Sequence, residues 1–371
     1  MEGLISKILP KNKNYVGIAP GAGEKNKIWP LEKYIELCNY FERNNKKMDK
    51  KILVFSNGEK IGDGIIKLQL PHEIKSRLPD YKLYWLTNKG KTVYSNTLKF
   101  IASNYIDEIL DQADLSPLFW NKISKRYKLE NEFFDYILDT QKSVIRTVAL
   151  KRIKHKNFIS GSANGFFSTN KIKNTKKRKY YLNYILDLLD LIVIKKNRSD
   201  FKIPISENLE VLLSNILLKH KSYVGIAPGA GEKNKIWPLE KYIELCNYLQ
   251  VNNKTIVFFI GPDELYLKEK LKDLYPNSIF IEDHITGYQN IEIIMATTKY
   301  LQLAISNDSG VSHMLSTGYC PLIKLFGPKD STKFTPENPN LFSISSSDFN
   351  SKNINKIPLS RVIKQIEKVL I

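Results

Sequence analysis

The sequence predicts an α/β protein built on parallel β-sheets. From Lys50 to the C-terminus, short apolar runs of strand length alternate with stretches of helical periodicity. This alternation is typical of a parallel sheet that helices cover on both faces. A second observation is the run Tyr223–Tyr248, in which a strand-like segment enters a glycine turn and then an amphipathic helix. Because ligands bind beyond the carboxyl ends of parallel strands, the residues that follow each predicted strand are the first candidates for function.

Length and charge limit the class of protein. The 371 residues suffice for two core-forming domains. Lysine and arginine number 57 against 38 acidic residues, which gives a formal net charge of +19. This excess indicates an anionic partner, either a nucleotide, an anionic glycolipid, a membrane surface or a nucleic acid. Many of the lysines are scattered, as AT-rich coding also produces, so part of the excess carries no functional meaning.

Cysteine use and hydropathy indicate the compartment. The three cysteines include no C-x-x-C pair, which argues against a disulfide framework or a zinc site and favours a reducing compartment. Met1–Asn14 shows no signal-peptide cleavage pattern. The most apolar run, Tyr180–Ile194, is interrupted by Asn183, Asp187 and Asp190, and is too short and too polar to span a bilayer. We therefore expect a cytoplasmic protein that can touch the inner membrane only peripherally.

Residues 48–200 are predicted to form a first α/β domain. Its predicted strands are Lys51–Ser56, Tyr81–Leu86, Tyr105–Leu110, Phe133–Leu138 and Asn157–Ser160. Its predicted helices are Ile65–Arg77 with a kink at Pro71, Ser143–Lys154 and Tyr180–Ile194. Asp63 and Asp139 fall where predicted strands end. The basic stretch Gly161–Lys179 is either a solvated loop, as charge runs usually are, or a clamp for an anionic acceptor or lipid surface.

Residues 207–355 are predicted to form a second α/β domain, and residues 356–371 a C-terminal amphipathic helix. The predicted strands are Tyr223–Ala227, Thr255–Ile260, Asn277–Ile281, Tyr300–Ser306 and, as the last, Pro321–Phe326. The predicted helices are Glu207–Leu218, Leu239–Leu249 and Ile291–Thr298.

The start of the second domain occurs twice in the chain. Residues 1–46 align without a gap onto 209–254, and Tyr15–Tyr40 is identical, letter for letter, to Tyr223–Tyr248. The N-terminal copy supplies one strand and one helix without a sheet, so it cannot offset its own ordering entropy. We interpret residues 1–47 as a duplicated fragment that arose by a gene-level accident or a mis-called start. A second phosphate site or a swapped element is the functional alternative.

The glycine turn of the second domain is a candidate anion site. Gly229, Ala230 and Gly231 let backbone N–H groups approach a ligand, and the following helix favours negative charge at its N-terminus. Lys233 and Lys235 add cations, so a phosphate or diphosphate is the expected ligand. The run is not a P-loop, because Ala230 replaces the second glycine and no serine or threonine follows the lysine. A tight β–α turn with solvated lysines is the alternative for the turn taken alone.

Several motifs together resemble glycosyltransferase family 9, the ADP-heptose:lipopolysaccharide heptosyltransferases. They are Gly62-Asp63 after the first strand, the strand ending in Asp139-Thr140-Gln141, K-x-W-P at Lys235–Pro238, N-D-S-G-x-x-H at Asn307–His313 and F-G-P-x-D at Phe326–Asp330. Order and spacing match from about Met48 to the C-terminus, and only the N-terminal copy has no place in the pattern. The resemblance implies a GT-B fold, in which an acceptor-binding and a nucleotide-sugar-binding Rossmann-like domain face each other across a cleft.

The resemblance implies roles for residues of the donor domain. Lys235 would neutralise the departing diphosphate, and Gly229, Ala230 and Gly231 would supply backbone donors. Asp308, Ser309 and Gly310 would lie beside the sugar and phosphates, with Ser309 donating and Asp308 bonding sugar hydroxyls or ordering the loop. Glu264 would hold ribose or sugar hydroxyls. His313 either reaches a phosphate or is a packing histidine, and Trp237 is expected in the core.

The acceptor domain would supply the catalytic base. Direct displacement with inversion requires a group that takes the proton of the acceptor hydroxyl, and Asp63 matches that position of the family. The alternative is that Asp63 caps the N-terminus of the helix Ile65–Arg77. Gly62, Gln141, Lys177 and Arg178 are assigned to the acceptor side.

No D-x-D sequence occurs in the chain, and metal-dependent sugar transfer needs clustered carboxylates. We therefore expect metal-independent transfer, without a cofactor, of a heptose from an ADP-linked donor to an anionic glycolipid of the lipopolysaccharide core. One alternative is a non-catalytic protein that binds a sugar nucleotide or an anionic polymer. Nucleic-acid binding is disfavoured, because Gly161–Lys179 holds only Phe166 and Phe167 as aromatic residues among its cations.

Overall fold

The computed structural model describes residues 30–45, 49–170, 181–193, 201–317, 319–328 and 340–370. Lys177, Arg178, the glycine turn of the N-terminal copy and the last two residues of the F-G-P-x-D motif lie outside the described residues. The chain divides into two compact units, Met1–Asp49 and Lys50–Ile371. In the first unit the described element is helix α1, Leu31–Asn45.

The second unit begins with a parallel five-stranded sheet of order β3-β2-β1-β4-β5. The strands are β1 Lys50–Phe55, β2 Tyr81–Leu86, β3 Glu108–Leu110, β4 Phe133–Asp139 and β5 Lys154–Ser160. The helices are α2 Ile61–Lys67, α3 Gln69–Arg77, α4 Lys99–Ala102, α5 Val144–Lys151 and α6 Tyr181–Asp190. We call this part the first lobe. Its strand order reverses between β1 and β4, where Phe55 lies opposite Asp139.

The second lobe of the same unit is a parallel six-stranded sheet of order β11-β10-β9-β6-β7-β8. The strands are β6 Tyr223–Ala227, β7 Thr255–Phe258, β8 Ile279–Phe280, β9 Leu301–Asn307, β10 Leu322–Phe326 and β11 Leu341–Ser345. The helices are α7 Glu207–Ile216, α8 Leu239–Val251, α9 Tyr266–Leu274, α10 Asn290–Thr297, α11 Gly310–Leu315 and α12 Leu359–Leu370. This is the strand order of a dinucleotide-binding fold, and it reverses between β6 and β9.

Apolar clusters cover both faces of each sheet, so the central strands are buried on two sides. Leu53 and Phe55 of β1 pack with one cluster, whereas Ile52 and Val54 pack with another, as the two-residue period of a strand requires. One cluster of the first lobe also includes Met295 of the second lobe. The two lobes therefore share apolar contacts.

The predicted helix Ile65–Arg77 is wrong at its start and in its continuity. Two helices, α2 and α3, meet at Leu68, and α2 begins at Ile61. The sequence also predicted β10 as the last strand, but β11 follows it at the edge of the sheet. Within the described ranges, no helix combines the length and the apolar character needed to span a bilayer.

Candidate active site

Both sheets reverse their strand order at the edge where ligands of open parallel sheets bind. In the first lobe, Asp63 follows β1 and Gln141 follows β4. In the second lobe, the glycine turn follows β6 and Asp308 follows β9. Asp63, Gln141, the glycine turn and Asp308 therefore all follow strands at the two topological switch points.

Glu264 fills the concave side of the glycine turn. A Cβ added at Gly229 would lie 2.6 Å from each Glu264 carboxylate oxygen, and one added at Gly261 would lie 2.5 Å from Oε2, so a side chain at either position would displace this carboxylate. The backbone N–H of Ala230 donates to this carboxylate. Burial raises the pKa of Glu264, and the neighbouring charge of Asp263 adds to that shift. The N–H of Ala230, predicted as a donor for a diphosphate, is occupied by a carboxylate in this structure.

Lys235 is buried at the end of a 3₁₀ turn, Lys233–Lys235. Its Nζ donates to Glu232 within the same turn. The backbone N–H of Lys235 donates to the Glu232 carbonyl at 2.9 Å, which closes the turn. Burying a lysine costs free energy unless its charge is paired. The bond to Glu232 therefore stabilises the buried position of Lys235 beside the glycine turn.

Asn307, at the end of β9, forms hydrogen bonds with three separate segments of the second lobe. Its Oδ1 accepts from the backbone N–H of Trp237 at 3.2 Å and from the hydroxyl of Tyr242 at 3.0 Å. Its Nδ2 donates to the carbonyl of Pro228 at 2.6 Å. One buried amide thus holds the glycine turn, the K-x-W-P segment and helix α8 against β9. Trp237 is fully buried and donates its indole N–H to Ile357 O at 3.0 Å, which places it in the core as predicted.

The F-G-P segment also packs on this assembly. A Cβ at Gly327 would lie 2.8 Å from the carbonyl oxygen of Asn234, so only glycine lets the two loops approach so closely. The structure therefore brings together the ends of β6, β9 and β10, which are far apart in sequence.

Asp308 is buried and pairs with Lys324, whose Nζ lies 3.4 Å from Oδ1. The two side chains are 7% and 2% exposed. Sequence reasoning missed Lys324. The available signal was a lysine in the apolar strand run L-I-K-L-F, since a charge inside a central strand of a parallel sheet requires a buried partner. Lys324 offsets the negative charge that Asp308 would otherwise present to a diphosphate.

Ser309 caps helix α11. Its Oγ accepts from the N–H of Ser312 at 3.3 Å, and the Oγ of Ser312 accepts from the N–H of Ser309 at 3.3 Å, a reciprocal capping box. A Cβ at Gly310 would meet no heavy atom within 4 Å, so the space beside this N-terminus is open. The predicted role of Ser309 as a phosphate donor must coexist with this structural role.

Gly62 and His313 join the two lobes. A Cβ on Gly62 would lie 2.5 Å from Cδ2 of the His313 ring, so the glycine permits the close approach of α2 to α11. His313 therefore has a packing role, which was one of its two predicted readings. Asp63 follows Gly62 directly and is exposed. Its carboxylate accordingly belongs to a helix turn that touches the opposite lobe.

Asp63 is not an N-cap. The N-cap of α2 is Lys60, and Asp63 lies in the first turn of the helix, where a negative charge interacts favourably with the helix dipole. The capping alternative is therefore wrong in detail, although a stabilising electrostatic role is kept. The charges of Glu59 and Asp63 also reach the buried Tyr94, whose pKa is raised well above its usual value, mainly by burial.

A buried ion pair lies near Asp63, and sequence reasoning missed it. Lys67 Nζ is 3.5 Å from Glu59 Oε1 and donates to Ser56 Oγ at 2.9 Å. Thr92 donates its hydroxyl to the other oxygen of Glu59. Lys67 lies about one helical turn after Asp63. The Lys67–Glu59 ion pair therefore stabilises the orientation of α2, the helix that carries the candidate base.

Asp139 has a structural role at the end of β4. Its carboxylate accepts from Thr147 Oγ1 at 2.7 Å, Ser160 Oγ at 2.8 Å and the N–H of Gln141 at 2.9 Å. Burial raises the pKa of Asp139, although these three donors oppose the shift. The half-buried Gln141 is thereby held at the same sheet edge as Asp63. Among the described residues there is no group of three or more His, Cys, Asp or Glu side chains placed to hold a metal ion.

Comparisons with known proteins agree with this arrangement. The family model for glycosyltransferase family 9 (heptosyltransferase) matches residues 123–359. The lipopolysaccharide core heptosyltransferase OpsX of Haemophilus influenzae is 22% identical over 286 residues, which are 75% of this chain and 79% of the relative. Lipopolysaccharide heptosyltransferase 1 of Campylobacter coli is 26% identical over 317 residues, 80% of this chain and 86% of the relative.

Solved structures with the same architecture include a family 9 glycosyl transferase from Veillonella parvula, with a TM-score of 0.65 at 18% identity over 86% of this chain and 97% of that one. The E. coli heptosyltransferase WaaC, solved with ADP-2-deoxy-2-fluoro heptose, gives a TM-score of 0.60 at 16% identity over 86% of this chain and 99% of that one. These likenesses confirm the predicted GT-B fold.

Proposed function

This chain belongs to glycosyltransferase family 9, the heptosyltransferases, and on that premise we propose that it transfers a heptose from ADP-heptose to a saccharide of the lipopolysaccharide core. Two relatives are named as lipopolysaccharide heptosyltransferases, and WaaC was solved with an ADP-heptose analogue. The observation that carries the proposal is the contact of Gly62 with His313, because it brings the turn that holds Asp63 to the donor lobe.

In the proposed reaction Asp63 takes the proton of an acceptor hydroxyl while the hydroxyl oxygen attacks the anomeric carbon of the heptose. The bond from that carbon to the diphosphate breaks in the same step, ADP leaves, and the anomeric centre is inverted. An exposed carboxylate suits this role, since it is accessible to a substrate hydroxyl. Gly62 and Gln141 would line the acceptor side, together with Lys177 and Arg178.

The departing ADP requires positive charge. Lys235 would turn from Glu232 towards the diphosphate, and the backbone of Gly229 and Gly231 would add donors. Asp308 pairs with Lys324, so the net charge of the pair beside the diphosphate is small. The second carboxylate oxygen of Asp308 can accept from a sugar hydroxyl. Glu264 would accept from ribose hydroxyls, while Ser309 and Gly310 would face the phosphates.

We further propose that the transfer needs no metal ion. The absence of D-x-D from the sequence and the buried lysine beside the glycine turn support this reading. Transfer that persists in excess EDTA is the expected result, and stimulation by added Mg²⁺ or Mn²⁺ after chelation would contradict it. The proposed acceptor is an anionic glycolipid, and the proposed place of the reaction is the cytoplasm, at the inner membrane face.

The deciding experiment is a transfer assay with ADP-heptose and a heptose-deficient core acceptor, with the product identified by mass spectrometry. Asp63→Asn should lower kcat by about 10²–10⁴-fold, since it removes the base without changing the side-chain volume. Asp80→Asn is the matched control, because Asp80 is exposed before β2, at the opposite edge of the same sheet.

Two results would contradict the proposal. One is transfer by Asp63→Asn at the rate of the Asp80→Asn control, which would remove Asp63 from the chemistry. The other is tight binding of ADP-heptose by the wild-type protein without any product, which would favour the alternative of a non-catalytic sugar-nucleotide binder.

A further inference from the structure

Large apolar side chains are exposed together on one side of the first lobe. Phe119 and Trp120, in the loop after β3, are 82% and 67% exposed, and their rings pack edge to face at 4.7 Å. Leu118 precedes them and is also exposed. A soluble surface rarely presents two adjacent aromatic rings to water, so this loop tip requires an explanation.

Helix α5 continues the apolar surface. Val144, Ile145 and Val148 are exposed at helical spacing, so they form one stripe on the outer side of the helix. Arg152, one turn further along, donates to the backbone carbonyl of Ser116 at 2.6 Å and to those of Phe119 and Asn121. The guanidinium thus fixes the aromatic loop against the end of the stripe.

Phe166 extends the surface on the other side of α5. It is 83% exposed and stacks edge to face on Phe167, whose carbonyl accepts from Lys151 Nζ at 3.3 Å. The inner sides of α5 and of both loops pack into one apolar cluster, so all three lie on the same face of the sheet. We call Leu118–Trp120, the α5 stripe and Phe166 the apolar face.

The two sequence segments that form the apolar face carry charges of one sign. Residues 115–129 and 140–170, which carry all of its side chains, contain no Asp or Glu. Their cations are Lys122, Lys125, Arg126, Lys128, Lys142, Arg146, Lys151, Arg152, Lys154 and Lys156. Lys125 pairs with Asp114 at 3.1 Å, but both groups are more than half exposed, so this pair neutralises little.

We propose that the apolar face docks the protein on a bilayer surface rich in anionic phospholipid. Aromatic rings partition to the interface between headgroups and acyl chains, and basic side chains of the same segments attract acidic headgroups. Apolar side chains surrounded by cations, with no acid among them, complement such a surface. A protein partner would more often be met by an apolar patch with charges of both signs at its rim.

The inference deepens the proposed function, because a lipid-linked acceptor lies at the same bilayer surface and the face belongs to the acceptor-binding lobe. The binding does not depend on that function, however, and can be measured without donor or acceptor. Docking by this face would hold the lobe next to the membrane and raise the local concentration of a lipid-anchored acceptor.

The test is co-sedimentation of the full chain with phosphatidylglycerol-containing vesicles and with pure phosphatidylcholine vesicles. We expect binding to the first that weakens with salt, and little binding to the second. Phe119→Ser with Trp120→Ser should lower the vesicle affinity about tenfold or more. Leu265→Ser with Tyr266→Ser is the matched control, since these residues form an exposed apolar pair on the second lobe; it should bind as the wild type does.

A second readout locates the contact. Brominated lipids should quench tryptophan emission in a Trp29→Phe background, and the quenching should be lost when Trp120→Phe is added, because the two remaining tryptophans, Trp85 and Trp237, are fully buried. The loop is held through backbone carbonyls, so thermal unfolding of the serine variant should match that of the control. Transfer to a water-soluble acceptor fragment should also be unchanged, which separates failure of docking from failure of the proposed chemistry.

Three outcomes would overturn the inference. They are equal vesicle affinity of the two double variants, wild-type binding that is indifferent to phosphatidylglycerol, and loss of a concentration-dependent dimer, rather than of vesicle binding, in the Phe119 and Trp120 variant. The last would reassign the apolar face to contact between copies of this chain.

Discussion

The same sequence, L-E-K-Y-I-E-L-C-N-Y, forms part of two helices with different surroundings. In α8 the side chains of Tyr242, Leu245 and Cys246 are buried in the core of the second lobe. In α1 the matching residues Tyr34 and Leu37 are only half-buried and Cys38 is exposed, and Leu31 and Ile35 are exposed at 64% and 52%. Local sequence therefore determines that both segments are helices, and tertiary neighbours determine whether the apolar stripe is buried.

The neighbours of α8 come from distant parts of the chain. Tyr242 donates to Asn307, and Tyr275 donates to Ile243 O at 2.9 Å and to Asn247 Oδ1 at 3.0 Å. These contacts fix the position of the helix and of the glycine turn that precedes it. The comparison teaches that a strand–turn–helix segment is only part of a diphosphate site, and that β9 and its asparagine supply the rest.

The largest expected difference between the copies is catalytic. Lys235→Ala should lower kcat by about 10²–10³-fold, because it removes a cation opposite the departing diphosphate. Lys27→Ala changes the identical residue of the N-terminal copy and should leave kcat unchanged. Both variants are assayed with ADP-heptose under saturating acceptor, and circular dichroism checks that each is folded.

Comparable losses in the two lysine variants would mean that the N-terminal copy takes part in transfer. Near-normal rates in Lys235→Ala would instead remove Lys235 from its leaving-group role, and would leave the family assignment intact.

The second difference concerns stability. Leu245→Ala should lower the free energy of unfolding by about 2–5 kcal/mol, because Leu245 is fully buried and its truncation leaves a cavity. Leu37→Ala, the same change in α1, should cost about 1 kcal/mol or less, because Leu37 is only half-buried. Urea unfolding followed by fluorescence gives both values, and equal costs would show that α1 is packed as well as α8.

Prediction from sequence succeeded where the local sequence pattern and the packing between elements favour the same structure. The boundaries of β2, Tyr81–Leu86, were predicted residue for residue, because its apolar run is bounded by polar turns. The start of α2 was wrong because the predicted helix began only at Ile65, after Gly62 and Gly64. They lie inside the helix, and a Cβ at Gly64 would be 2.4 Å from Val93 Cγ2, so these glycines serve contacts between elements rather than backbone freedom.

The features of the site that the sequence did not predict are contacts between residues far apart in the chain. Its motifs located Lys235, Asn307 and Asp308, but not the hydrogen bonds by which the Asn307 amide joins three segments, nor Lys324 beside Asp308. Edge strand β11 was missed because its run L-F-S-I-S alternates weakly and only its last two residues are buried. Pairing partners in a parallel sheet are set by topology, which a single local pattern does not contain.

Thiol accessibility sharpens the comparison further. Cys38 is exposed, whereas burial raises the pKa of Cys246 and of Cys320 to about 12. At pH 8 we expect one of the three cysteines to react with a maleimide in the native protein, and the other two only after denaturation, since the thiolate is the reactive form. Peptide mapping should identify Cys38. Protection of all three thiols would contradict the exposed placement of α1, and rapid labelling of Cys246 would contradict the packing of α8.

The smallest expected effect is that of removing the N-terminal copy. A chain beginning at Met48 keeps both sheets, and Lys50–Ile371 is a compact unit of its own. Its melting temperature and its kcat should therefore equal those of the full chain within experimental error. The helix that is lost exposes most of its described apolar side chains, so little buried surface is given up. A drop in either quantity would favour a swapped element or a second phosphate site, and Lys27→Ala in the full chain would then distinguish the two, because only a phosphate site requires that lysine.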